Sequence, residues 1–115
     1  MEQQFGCCLW FDGQLAEAAD FYMKTFEDSK KKNETHFISN EHGTIGDLLT
    51  VTLELAGTEF LLLNGGPDFE PTPAISYVVN CENEKQLNDV WKQLNQSGET
   101  LMALTDYPEL SKFGW

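Results

Sequence analysis

Apolar and polar positions change their period several times along the chain, and each change predicts an element. Phe5–Phe11 is a short apolar run closed by Asp12–Gly13, the pattern of a strand ending in a turn. In Gln14–Phe26, Leu15, Ala18, Ala19, Tyr22 and Phe26 recur at three- and four-residue steps, as in an amphipathic helix. Asp12 is the expected cap of its first N–H groups. Asp28–Asn33, with Lys30, Lys31 and Lys32, reads as a solvated turn, Thr35–Ser39 as a second strand and Asn40–Asp47 as a loop. Leu49–Leu63 is the clearest hairpin: Thr50, Thr52 and Glu54 alternate with Val51, Leu53 and Leu55, and Ala56–Gly57 makes the turn. Asn64-Gly65-Gly66-Pro67 breaks the returning strand, and a proline-containing loop runs to Pro73.

The second half opens in a similar way. Ala74–Cys81 predicts a strand, with Ile75, Tyr77 and Val79 on one face. Asn83 and Gln86 carry a capping signature, and Leu87, Val90, Trp91 and Leu94 form a helix stripe that Gly98 stops. Thr100–Leu104 is an expected strand, Tyr107–Lys112 a loop, and Phe113–Trp115 the start of another strand. Strand, turn and helix therefore occur twice, with a repeat of pattern and hardly any of residue identity. A complete second unit needs about 20 more residues at common strand lengths. The expected fold class is α+β: a curved mixed, mostly antiparallel sheet with two outer helices at about 14–26 and 84–96, in which the second module lacks its last strands.

Composition narrows the functions. The 115 residues carry 19 acidic side chains against 7 basic ones, all lysine, for a formal charge of -12. Nucleic-acid binding needs a cationic face, so this balance argues against it, and equally against anionic membranes and polyphosphorylated substrates. Cys7, Cys8 and Cys81 show no CxxC spacing and lie in apolar runs, where free cysteine acts as a small hydrophobe. Reduced thiols without a signal peptide point to the cytoplasm. The longest apolar stretch, around Phe60–Asn64, falls far short of the roughly 20 residues of a membrane span.

Paired βαβββ units resemble the vicinal-oxygen-chelate superfamily, which includes glyoxalase I, bleomycin and fosfomycin resistance proteins and extradiol dioxygenases. The residues are most similar to its PhnB-like branch, often named 3-demethylubiquinone-9 3-methyltransferase. Leu9-Trp10-Phe11-Asp12-Gly13, Ala16-Glu17-Ala18-Ala19 and Phe21-Tyr22 look like its opening motif, and Phe26-Glu27-Asp28-Ser29 resembles the segment that follows. Leu49–Leu55 with Gly57, then Phe60–Asn64-Gly65-Gly66-Pro67, is similar to its central hairpin. Ala74-Ile75-Ser76-Tyr77, Val90-Trp91 and Lys112-Phe113-Gly114-Trp115 look like parts of its second unit. The resemblance implies one glyoxalase-like domain over residues 1–115, with modules at about 1–67 and 73–115.

It also implies where chemistry would sit. The superfamily's metal ligands are His, Glu or Gln on inward-facing strand positions, and here those places hold Phe5 and Ala74. His36 and His42 have no ligand spacing, so no metal is expected. Methyltransfer is not expected either. Gly65–Gly66 runs into Pro67, not into the helix of an S-adenosylmethionine site, so no cofactor is expected. No nucleophile constellation is visible, and the catalytic residues are left unassigned. The candidate ligand-pocket residues are Thr52, Glu54, Asn64 and Phe11. Glu54, on the polar hairpin face, suits a general base or a hydrogen-bond acceptor for a ligand, or is an ordinary exposed carboxylate. Asn64 can present an amide to a ligand or serve as a turn residue. Trp10 and Phe11 point to opposite faces, and either can face the cleft.

The favoured expectation is a metal-free small-molecule binding protein of glyoxalase-like fold. The alternatives are a metal-dependent isomerase- or lyase-type enzyme of the same superfamily and a non-catalytic dimerisation or interaction module. Truncation of the second module leaves an open sheet edge, so a homodimer is expected, with exchange of strands between subunits as one way to form it.

Overall fold

Leu48–Leu55 carries the alternation on which the fold is organised, and its apolar set is the most buried in the protein. The computed structural model describes residues 4–115. In chain order the elements are β1 (Cys7–Phe11), α1 (Leu15–Thr25), β2 (Ser29–His36), β3 (Leu48–Leu55), β4 (Thr58–Asn64), α2 (Glu84–Leu94), β5 (Thr105–Tyr107) and β6 (Ser111–Phe113). The fold is mixed α+β, as the alternating periods predict. Two units follow one another, the first ending at Ser76 and the second spanning Tyr77–Trp115.

In the first unit four strands form one sheet in the order β1-β4-β3-β2. β1 runs parallel to β4, and the other neighbours are antiparallel. Val51, Leu53 and Leu62 are almost completely buried, and Leu55 joins them beneath Leu15 and Ala19 of α1. Leu9, Phe11, Tyr22 and Phe26 pack around this cluster. α1 therefore covers one sheet face only, and the polar alternates of β3 project from the other. The β3–β4 turn is the expected Ala56–Gly57, both residues with positive φ (49° and 86°), as a two-residue hairpin turn requires.

Three first-unit expectations need correction. Lys30, Lys31 and Lys32 do not form a turn: they lie inside β2, and the strand expected at Thr35–Ser39 is instead Ser29–His36. Tertiary pairing overrides the poor strand propensity of lysine here. β2 is an edge strand, where lysine is a favoured residue, and two register irregularities accompany it. Asp12 is not the helix cap. Gln14 takes that position with φ 61° and makes no side-chain cap bond. The left-handed backbone of Gly13 and Gln14 carries the chain away from Asp12, and the Gly13 N–H donates to Asn64 Oδ1 at 2.9 Å. Cys8 is exposed, not a buried hydrophobe, because it sits on the face that α1 does not cover.

In the second unit α2 begins as expected. The Gln86 N–H donates to Asn83 Oδ1 at 2.8 Å, and Gln86 Oε1 accepts from the Glu82 N–H at 2.6 Å. Lys112 of β6 donates to Glu84 at 2.6 Å and to Asn88 at 3.3 Å, tying the β5–β6 hairpin to the helix. Gly114 lies against the Trp91 ring, so close that a Cβ there would stand 2.5 Å from it. The strand expected at Ala74–Cys81 is absent: these residues belong to neither sheet, and Ile75 and Val78 are 73% and 79% exposed. Apolar periodicity alone does not make a strand, which needs a ladder partner, whereas β1 has β4. The expected strand at Thr100–Leu104 shrinks to backbone bonds between Met102 and Trp115. The repeat of pattern is thus a repeat of one helix and its approach, without a second four-stranded sheet among the described residues.

Candidate functional site

Registers across the first-unit sheet assign its uncovered face row by row. Trp10, Leu63, Thr50 and Thr35 stand side by side across β1, β4, β3 and β2. Two residues along the strands lie Cys8, Leu61, Thr52 and Asn33. The next row holds Glu59, Glu54 and Lys30. The face therefore grades from an aromatic end through an apolar and hydroxyl-bearing centre to a charged end.

The aromatic end has a built rim. Trp10 Nε1–H donates to the Gly66 carbonyl at 2.7 Å, and Phe69 and the indole form a T-shaped pair at a centroid distance of 4.9 Å. A Cβ at Gly65 would come within 2.3 Å of the Trp10 ring, so only glycine lets the backbone approach this closely. The 65–69 loop is thereby folded onto Trp10. In the row of Trp10 the Thr50 and Thr35 hydroxyls share a hydrogen bond of 2.5 Å, while in the central row Leu61 keeps 36% of its surface exposed.

At the charged end Glu54 and Glu59 are directly opposed on β3 and β4, an unfavourable placement for like charges. Lysines from β2 offset it: Lys30 Nζ lies 3.4 Å from Glu54, and Lys32 Nζ lies 3.3 Å from Glu59. Lys30 and Lys32 stand two apart in β2 and so share this face, and the irregularity between Lys31 and Asn33 brings Asn33 opposite Thr52. Such surface pairs add little stability, about 0–1 kcal/mol each, but they set the local charge near zero.

The sequence-derived candidates divide between the two faces. Thr52 and Glu54 are on the uncovered face, as the alternation predicts. Phe11 is not: it packs against the core beside α1, and Trp10 takes the outward position. Asn64, the register partner of Phe11, accepts from Gly13 N–H and donates from Nδ2 to the Leu48 carbonyl at 3.2 Å. Both ends of its amide are engaged in joining the β1–α1 turn to β3 and β4. Leu61, Leu63, Lys30 and Lys32 were not singled out from sequence. The alternation of Phe60–Leu63 is hidden by a continuous apolar run, and the Lys30–Glu54 pairing follows from a β2 register that no local pattern encodes.

Among the described residues no group of three His, Cys, Asp or Glu could hold a metal ion. Phe5, at one expected ligand position, is 97% exposed and has no donor atom. His36 pairs loosely with Glu34 at 3.9 Å, and His42 is in the exposed 37–47 loop. Gly65–Gly66 leads into the loop on Trp10 and not into a helix, so the residues do not fit an S-adenosylmethionine site. No helix of the described residues is long and apolar enough to cross a membrane.

Comparison with known proteins places this geometry. The family described as 3-demethylubiquinone-9 3-methyltransferase matches residues 3–115. Among solved structures, a PhnB protein from Bacillus cereus carrying the same methyltransferase name superposes with a TM-score of 0.88 at 35% identity, covering 98% of this chain and 89% of that one. A protein from Staphylococcus aureus is 24% identical over 96% of this chain and 82% of that one, with a TM-score of 0.44. No curated protein matches.

Proposed function

Because the chain belongs to the 3-demethylubiquinone-9 3-methyltransferase family, in its PhnB-like, glyoxalase-fold branch, we propose that it binds a small organic molecule on the uncovered face of the first-unit sheet, without a metal ion. One observation carries the reading: a half-buried row of Thr50, Thr52 and Glu54 adjoins Trp10, Leu61 and Leu63 on the face that α1 leaves open. Apolar contact area beside a few placed polar groups is the make-up of a ligand site. The methyltransferase in the family's description is not adopted, since the glycine pair does not fit its cofactor. Thermal-shift screening of small organic compounds tests the site: a compound at a hundred times its dissociation constant adds about 2.7 kcal/mol of stability. Leu61→Glu, at an exposed position, is expected to abolish that shift while leaving the fold intact. A shift of equal size in Leu61→Glu would place the ligand elsewhere.

The working state in this reading is a homodimer, with exchange of strands between subunits as one way to form it. The two edges of the sheet support it by their difference. β2 carries three lysines and two register irregularities, which discourage pairing with another chain. β1, at the opposite edge, reads Cys-Cys-Leu-Trp-Phe, with neither a charge nor an irregularity. A second copy is the proposed cover for β1. The unbridged Cys8 and Cys81 support a reducing, cytoplasmic setting.

A further inference from the structure

Resting on the ligand site just proposed, we infer that the molecule it takes is uncharged and amphipathic: a planar apolar ring lying on Leu61 and Leu63 beside Trp10, with hydroxyl or carbonyl groups meeting Thr50 and Thr52. A chain with a formal charge of -12 would be expected to select cations. The geometry of this face opposes that expectation. Its two carboxylates, Glu54 and Glu59, are each held by a lysine within 3.4 Å, so the charged end presents paired, locally neutral groups. A cation would have to displace an ammonium already in place, and an anion would meet a carboxylate beside each lysine. An uncharged ligand meets neither cost.

The dimensions fix the size class. The row of Trp10 and the Glu59–Glu54–Lys30 row are four residues apart along β3 and β4, or about 13–14 Å at the usual rise per residue. The intermediate row supplies Leu61 and Thr52. A molecule of two or three fused rings fits within that span with its apolar part at the aromatic end. The 65–69 loop packs on the Trp10 indole, so Leu63 and Leu61 carry the ring.

Three probes with one ring system separate the charge classes: 2-naphthol, 2-naphthoate and 2-naphthylmethylammonium. Each is titrated into the 15N-labelled full chain, following the Trp10 indole N–H and the amides of Thr50, Thr52, Leu61 and Leu63. The expected result is saturable shifts at these signals with 2-naphthol binding at least tenfold more tightly than either charged probe. In the double variant Lys30→Gln/Lys32→Gln, which releases both carboxylates, the order should reverse and the ammonium probe should bind best. Tightest binding of the ammonium probe to the unmodified chain on these residues would overturn the charge class and leave the ligand site standing. Retention of the neutral preference in the double variant would remove the role given to the lysines. Shifts confined to other residues with all three probes would overturn the site and the inference together.

Discussion

Ala56 occupies a position where its side chain is a burden. With φ at 49° it sits in the left-handed region, which costs a non-glycine residue about 1–2 kcal/mol. Asparagine tolerates that conformation better and is the favoured first residue of a two-residue turn before glycine. The Ala56 N–H, bonded to the Asp28 carbonyl at 2.7 Å, is unaffected by the exchange. Ala56→Asn is therefore expected to stabilise the first unit by about 0.5–1 kcal/mol, read as a rise in melting temperature. Asn64 is the converse case, a polar side chain whose two bonds hold three elements. Asn64→Ala leaves the half-buried Gly13 N–H and the Leu48 carbonyl without it and is expected to cost about 1–3 kcal/mol in denaturant unfolding. A much smaller loss, with ligand binding impaired, would restore Asn64 to a ligand role.

Elements in this protein owe their existence to partners as much as to their own residues. β2 is rich in lysine, yet it forms because β3 offers a ladder and Glu54 and Glu59 offer counter-charges. The 74–81 segment has the better strand composition and forms none. In the second unit one ion pair joins α2 to β6, beside the Lys112–Asn88 hydrogen bond and the contact of Gly114 with Trp91. The Lys112 ammonium hydrogen-bonds Glu84 and attracts it electrostatically, holding the carboxyl below its ordinary value of 4.5. A carboxyl depressed in the folded state contributes stability above its unfolded pKa and loses it as pH falls through the folded one. The tie is thus complete at neutral pH and weakens only in acid, below pH 4.5. NMR titration should find the Glu84 midpoint below 4.5 and find it raised in Lys112→Gln. An unchanged midpoint in the variant would mean that the pair does not persist in solution.

At the scale of the molecule, the difference between the sheet's edges predicts association. Light scattering at tens of micromolar is expected to report a dimer. Cys8→Lys, which places a charge at the exposed position of β1, should shift it towards monomer, since an edge lysine discourages strand pairing. A monomer at that concentration would leave β1 covered in some other way. Local pattern is enough for the helices, the β3–β4 hairpin with its turn, the family and the face shared by Thr52 and Glu54. These rest on local periodicity, capping and turn chemistry, which act over a few residues and are written in adjacent positions. The packing of α1 turns Phe11 inward and Trp10 outward, since alternation separates the two without saying which side α1 covers. Tertiary structure also decided that Lys30 and Lys32 neutralise the carboxylates of the candidate site, because that pairing depends on the β2 register. It left Ala74–Cys81 without a strand, because a β-strand is stabilised by hydrogen bonds to a neighbour that its own residues do not specify.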